Sequence, residues 1–279
     1  MKTSCCEPTE NQNASDLKAI VRNKYEQIAL GQSVVDEKKA CCSSEESNPK
    51  IYNMMMDDYS ELEGYVADAD LKLGCGVPTE YAQISEGKTV LDLGSGAGND
   101  AFVARHFVGE TGIVYGVDFS PAMIDKARKN VQKLGYQNVH FLEGELEDLP
   151  LENDSVDIII SNCVLNLVSN KTQVFAEMYR TLRPGGHFCV SDIVLNGTLP
   201  DAFKKDAEMY AGCVSGAIQQ EDYLQGLAKA GFNDVRIVRT KPIYLPDELL
   251  DKHLNPIELA DFRTHGAHIQ SVTVFGKKE

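Results

Sequence analysis

Between Thr89 and Asp100 the chain reads Thr-Val-Leu-Asp-Leu-Gly-Ser-Gly-Ala-Gly-Asn-Asp, an apolar run that breaks into alternating glycines and then into a helical pattern. That order predicts a strand, a tight loop and a helix. Glycine lets a backbone take positive φ or approach a ligand with no Cβ in the way, and the helix start beyond it offers unpaired N–H groups and a positive dipole end. Taken alone, such a loop is either a nucleotide cradle or an ordinary strand-to-helix turn. The spacing Gly94, Gly96, Gly98 leaves Asn99 where a dinucleotide fingerprint needs its third glycine, which argues against NAD.

The rest of the chain extends this unit. A second strand, 112–117, delivers Asp118 about twenty residues beyond the loop, where an acid can take both hydroxyls of a ribose. Ser120 and Pro121 read as N-cap and first residue of a helix that Gly135 closes. A third strand, 139–142, runs into the acidic loop 143–150. The unbroken apolar run 156–161 predicts a central, buried strand that opens into Asn162-Cys163-Val164-Leu165-Asn166-Leu167. Helix 172–182, a turn at Arg183-Pro184-Gly185-Gly186 and strand 187–193 follow, with Cys189 read as core. Helices 201–210 and 222–230, strand 235–239 and a final strand 269–275 complete the pattern, whereas 242–267 shows none. The predicted fold class is α/β, a doubly wound, Rossmann-like, seven-stranded and mostly parallel sheet with ligands at the carboxyl edge of its strands.

Ahead of the sheet, residues 1–14 are polar and predict a mobile tail, Ser15 to Gly31 an amphipathic helix, 32–50 a flexible loop, and 53–73 one or two short helices whose Met54-Met55-Met56 serve packing. The expected organisation is an N-terminal extension over 1–72, a core over 73–241 and a C-terminal segment over 242–279 that completes the sheet.

Charge narrows the partners. Lys and Arg total 27 against 42 Asp and Glu, a net −15, so the chain lacks the basic footprint that nucleic acid or an anionic membrane requires. No stretch approaches the roughly 18 consecutive apolar residues of a membrane span, and the first residues lack the apolar core of a secretion signal. A cytoplasmic protein acting on a small molecule is expected. The eight cysteines form two vicinal pairs, Cys5-Cys6 and Cys41-Cys42, and four singles, Cys75, Cys163, Cys189 and Cys213, with no C-x-x-C motif. In a reducing compartment, metal binding or redox chemistry must be weighed ahead of a disulfide framework. The pair His265 and His268 lacks flanking ligands, so no zinc site is expected there.

The motifs Val90-Leu91-Asp92-Leu93-Gly94-Ser95-Gly96-Ala97-Gly98, Gly116-Val117-Asp118, 144–150 and Leu182-Arg183-Pro184-Gly185-Gly186 resemble those of the S-adenosylmethionine-dependent class I methyltransferases. More narrowly, Leu73-Gly74-Cys75-Gly76, 161–167 and Ala211-Gly212-Cys213-Val214-Ser215-Gly216-Ala217 resemble the arsenite methyltransferases. The resemblance implies S-adenosylmethionine held by Asp92, Gly94, Ser95 and Gly96 at the methionine end. It puts Asp118 and Phe119 at the ribose, Met123, Glu145 and Leu146 around the adenine, and Asn162 by the sulfonium. It also implies that Cys75, Cys163 and Cys213 bind trivalent arsenic, supplied as arsenite or its thiol conjugates.

Thiolates match that soft centre, and three of them leave its lone pair exposed to an electrophilic methyl, so the transfer needs no general base. The family further uses an N-terminal cysteine, here Cys41 or Cys42, to form a disulfide that drives reduction of the pentavalent product. A thiol reductant, glutathione or thioredoxin, resets it. Cys5-Cys6 either captures metalloid or has no role. Two other readings remain open at this level: a small-molecule C- or O-methyltransferase of another substrate class, and a metalloid-binding protein without turnover.

Overall fold

The computed structural model describes residues 10–31, 57–200, 214, 216–245 and 250–279. Seven strands form one sheet in the order β3-β2-β1-β4-β5-β7-β6. They are β1 (Thr89–Leu93), β2 (Ile113–Asp118), β3 (Val139–Glu143), β4 (Val156–Asn162), β5 (Leu182–Asn196), β6 (Asn233–Ile243) and β7 (His268–Lys277). The first five run parallel, and β7 lies antiparallel to both β5 and β6. This is the doubly wound sheet that the sequence predicts, with its antiparallel strand in the terminal pair.

Side-chain alternation along the central strands makes two cores. Val90, Ile158 and Ile160 face α2 (Asn99–Val108) and α3 (Pro121–Leu134), packing with Phe102, Ile124 and Phe141. Leu91, Leu93 and Ile159 face α4 (Lys171–Thr181) and α5 (Gln220–Lys229), packing with Phe175, Met178, Tyr223 and Leu227. Edge-on ring pairs, Phe175 with Tyr223 at 5.6 Å and Phe188 with Phe232 at 4.7 Å, lock the second core. Each fully buried side chain of this size contributes roughly 1.5–3 kcal/mol. Local signals agree with packing at α3: the Ser120 hydroxyl accepts from Met123 N, Pro121 follows, and Gly135 ends the helix.

The strands differ in length, and this shapes the site. β1 and β3 have 5 residues, whereas β5 has 15. β4 stops at Asn162, opposite Ser191, while β5 continues to Asn196 alongside the start of β7. The carboxyl end of the β5-β7-β6 half therefore overhangs the rest of the sheet. A third apolar cluster, containing Ile193, Leu195, Ile243 and Ile269, sits on that overhang.

Four local expectations are corrected. Helix α1 runs from Glu10 to Ala29, so it begins before Ser15; a packed helix extends readily through polar residues once nucleated, because each further residue adds a hydrogen bond. Residues 57–73 are a chain of turns, with bonds such as Leu62 N to Tyr59 O and Ala69 N to Val66 O, and hold no helix. Arg183–Gly186 is a bulge inside β5, looped out where the register jumps from Val156 opposite Leu182 to Ile158 opposite His187. Finally, the patternless stretch near the C-terminus holds α6 (Pro256–His265), capped reciprocally by Asn255 and Glu258. The Met54–Met56 triplet and the expected helix 201–210 lie outside the described residues.

Candidate active site

A cleft of about 330 Å³ opens at the carboxyl edge of β1, β2 and β4. All ten residues assigned to the cofactor line it: Asp92, Gly94, Ser95, Gly96, Asp118, Phe119, Met123, Glu145, Leu146 and Asn162. Gly94 has φ 67°, and a Cβ there would strike the side chain of Val164, so the loop and the segment after β4 meet with no room for any other residue. Asp118 latches the loop: Oδ2 accepts from Gly96 N at 2.9 Å and Oδ1 from Ser120 N at 2.9 Å. Each oxygen keeps a further lone pair for a ligand hydroxyl. At the far end α1 leans over the cleft through Val21 and Tyr25, while Arg22 donates to Phe119 O at 3.2 Å and lies over the Phe119 ring.

Carboxyl groups dominate the charged lining of the cleft. Asp70, Asp92, Asp100, Asp118, Glu145 and Glu147 line it against two lysines, Lys72 and Lys171. Burial first of all, with the hydrogen bonds from Ser120 and Gly96 working against it, holds the Asp118 carboxyl up to about 6. Burial likewise holds Asp100 up to about 6, opposed by hydrogen bonds from Asn162 and Tyr59. Asp92 too is raised well above the ordinary range, by burial first and then by Asp100 and Asp118. Three buried polar atoms in the wall, Asp92 Oδ2, Ser95 Oγ and Asn99 Oδ1, have no partner among the described residues. Acceptors left like this cost free energy unless a ligand brings donors. A ligand carrying an ammonium and hydroxyls, as S-adenosylmethionine does, fits these groups.

Beside this lobe lie two thiols. Cys75 and Cys163 are buried and share the overhang cluster with Ile193, Leu195 and Val214. Cys163 lines the cleft with a left-handed backbone, φ 61°, its N–H bonded to Ser191 O at 2.7 Å. Cys75 sits in the Gly74–Val77 turn, as expected a non-helical one. Ser271 donates to Cys75 O at 2.5 Å, and Asn162 Oδ1 accepts from Cys75 N at 3.0 Å. Asn162 is thus occupied with the cysteine turn as well as lining the cleft. Cys213, Cys41, Cys42, Cys5 and Cys6 lie outside the described residues. Cys189 is core, on the opposite face of the sheet, its thiol pushed up to about 12 by burial.

The sequence assigns no site role to several residues around the thiols. Asp192 is fully buried and raised to about 7, by burial first; its Oδ1 accepts from Asn166 Nδ2 at 2.8 Å, and Tyr223 OH donates to Oδ2 at 3.4 Å. Asn166 Oδ1 is buried in the cleft wall with no partner among the described residues. Tyr59 and Asp100 meet Asn162 from two further elements. Only Asp100, an acid in the first turn of a helix, follows a recognisable local preference.

Comparisons with known proteins converge. The profile of a methyltransferase domain family matches residues 84–231. An arsenite methyltransferase of Halobacterium salinarum is 41% identical over 235 residues, covering 81% of this chain and 60% of that protein. One of Aquipseudomonas alcaligenes is 32% identical, covering 84% and 67%. The crystal structure of an arsenic(III) S-adenosylmethionine methyltransferase from Chlamydomonas reinhardtii superposes with a TM-score of 0.63 at 34% identity, over 82% of this chain and 73% of that one. The chain thus spans 60–67% of the length of these two curated relatives. With the class I methyltransferase sheet, a carboxylate-lined cleft and two buried thiols beside it, the chain belongs to the arsenite methyltransferase family.

Proposed function

We propose that the protein transfers methyl groups from S-adenosylmethionine to trivalent arsenic held by the thiolates of Cys75, Cys163 and Cys213. The observation that carries this reading is the junction of two unlike lobes: a cleft walled by carboxylates abuts an apolar cluster holding two cysteines. Val214, next in sequence to Cys213, is buried in that same cluster, and Gly216 lines the cleft. S-adenosylmethionine, when bound, supplies an electrophilic methyl on a sulfonium sulfur. The chain supplies the rest. Asp118 takes the ribose hydroxyls, Asp92 and Ser95 accept from the ammonium, Met123 and Leu146 flank the base, and the apolar cluster keeps water from the thiolates. Catalysis then rests on orientation and proximity.

Methylation of the arsenic lone pair raises arsenic to the pentavalent state, and two electrons return it to trivalent. A pair of protein thiols that includes Cys41 or Cys42 gives them up as it closes to a disulfide, and glutathione or thioredoxin reopens it. Among the described residues no helix is long and apolar enough to cross a membrane, which fits a cytoplasmic enzyme. Residues 1–72 serve as the extension, 73–241 as the methyltransferase core and 242–279 as the completing segment.

The test is one incubation with arsenite, glutathione and methyl-labelled S-adenosylmethionine, followed by arsenic speciation, with Cys75, Cys163 and Cys213 each replaced by serine. Labelled methylarsenicals from the wild type, lost in all three variants, are expected. Arsenite binding without labelled product would make this a sequestering protein, and arsenic-independent activity that survives Cys75→Ser would assign another methyl acceptor.

A further inference from the structure

Asn162 offers one carboxamide to two neighbourhoods. Its Oδ1 accepts from the backbone N–H of Cys75 at 3.0 Å and of Gly76 at 3.2 Å. Its Nδ2 donates to Gly76 O at 2.8 Å, to the Tyr59 phenol oxygen at 2.8 Å and to Asp100 Oδ2 at 3.1 Å. A carboxamide has nearly the same shape either way round, so its surroundings decide which end is which. Reversed, its NH2 would oppose the two turn N–H groups and its oxygen would face a carboxylate.

Asp100, an acceptor in the first turn of α2, forbids that reversal. Tyr59 steadies the carboxylate by donating to its other oxygen, Oδ1, at 2.8 Å. The fit is tight as well as polar: a Cβ on Gly74 would lie 2.6 Å from Asn162 Nδ2. The Cys75 amide nitrogen, three bonds from the sulfur, is therefore placed by a carboxylate that also lines the cleft.

We propose that Asp100 and Tyr59 are positioning residues for the Cys75 thiol, acting through Asn162, so that one buried polar chain joins the methyl-donor cleft to the arsenic-binding turn. This rests on the function proposed above. Where a group orients a ligand to a metal or metalloid, its loss costs about 10- to 100-fold in affinity or activity.

The experiment is arsenic K-edge X-ray absorption on the full chain loaded with one equivalent of arsenite and no methyl donor, together with arsenite titration and thermal melting. Cys75→Ser provides the reference spectrum for a site that has lost this sulfur. The wild type is expected to show three sulfur neighbours. Asp100→Leu, which keeps the branched heavy-atom skeleton without an acceptor, is expected to lose one sulfur and bind arsenite about tenfold more weakly. Asp100→Asn, which restores an acceptor oxygen, recovers the three-sulfur shell. Tyr59→Phe keeps three sulfurs with about threefold weaker arsenite binding.

Three sulfurs and wild-type affinity in Asp100→Leu overturn the proposal. If that variant does not fold, Tyr59→Phe decides it, and unchanged arsenite affinity there overturns it equally. A wild type without a three-sulfur shell instead refutes the function on which the proposal rests, before any variant is compared.

Discussion

The two lobes of the site are built by opposite means. The donor lobe sits on the short parallel strands β1 and β2, and its parts are backbone turns that follow directly from strand ends: the glycine loop after β1, Asp118 at the end of β2, the acidic loop after β3. The thiol lobe sits on the overhang of β5, β6 and β7; Cys163 follows β4 directly and bonds the backbone of β5, whereas Cys75 is held by side chains from elsewhere, Asn162 on β4 and Ser271 on β7. One lobe is polar and acidic, the other apolar. Local chain geometry suffices to cradle a ligand by its backbone and to set Cys163 beside it, whereas placing Cys75 there takes distant parts of the chain.

The sharpest way to break this contrast is where the lobes touch. Gly94→Ala puts a Cβ into Val164 at φ 67°, and should cost about 1–3 kcal/mol from overpacking and a further 1–2 kcal/mol from the left-handed backbone. Donor affinity and arsenite affinity should fall together, with thermal melting and calorimetric titration as the measurements, and a second substitution, Val164→Ala, should restore part of both. Asp118→Asn should instead separate the lobes: about 10- to 100-fold weaker S-adenosylhomocysteine binding from the loss of charged hydrogen bonds, with arsenite binding retained. A matching loss of arsenite affinity would show that the lobes are one unit.

Acidity offers a gentler probe. Burial holds Asp100 and Asp118 up to about 6 and raises Asp92 well above the ordinary carboxylate range, so these groups favour the folded, ligand-free protein below the unfolded carboxylate value of about 4, and for Asp100 and Asp118 that contribution is lost as pH rises through about 6. A ligand that donates to them favours the ionised form. Donor binding should therefore weaken as pH falls from 7 to 5, by up to about tenfold per unit for each proton displaced, and should release protons measurable in buffers of different ionisation enthalpy. A flat profile would mean that the carboxylates do not face the ligand. The smallest effect belongs to Cys189→Ala, about 1 kcal/mol in denaturant unfolding with methylation unchanged, because that thiol packs against the other face of the sheet.

The same contrast explains what could be read from the sequence. The strand–glycine–helix unit, the capped α3 and the apolar β4 run declare themselves because their causes are local, and every residue assigned to the donor lobe lies in the cleft. Cys75 and Cys163 stand out by their glycine and asparagine settings. Their supports do not, since Asn162 and Cys75 are 87 positions apart, and strand length on the overhang is decided by pairing between β5 and β7. The turns at 57–73 escaped because their apolar residues imitate helical spacing. The α6 cap escaped although Asn255-Pro256 and Glu258 spell it out, because the segment behind it lacks an apolar face.

The bond from Ser271 to the Cys75 carbonyl spans 196 residues, and β7 reaches its place only by slotting between β5 and β6. In a chain emerging from the ribosome, the strands of the nucleotide half are complete and able to pair while the turn bearing Cys75 still lacks its prop, and the edge of β5 stays open until β7 arrives. Maturation of this protein is therefore ordered in time, and the thiol turn is finished last. Until Ser271 arrives, the Cys75 carbonyl lacks the hydrogen bond that this hydroxyl donates in the finished fold, and a thiol left uncovered is open to oxidation.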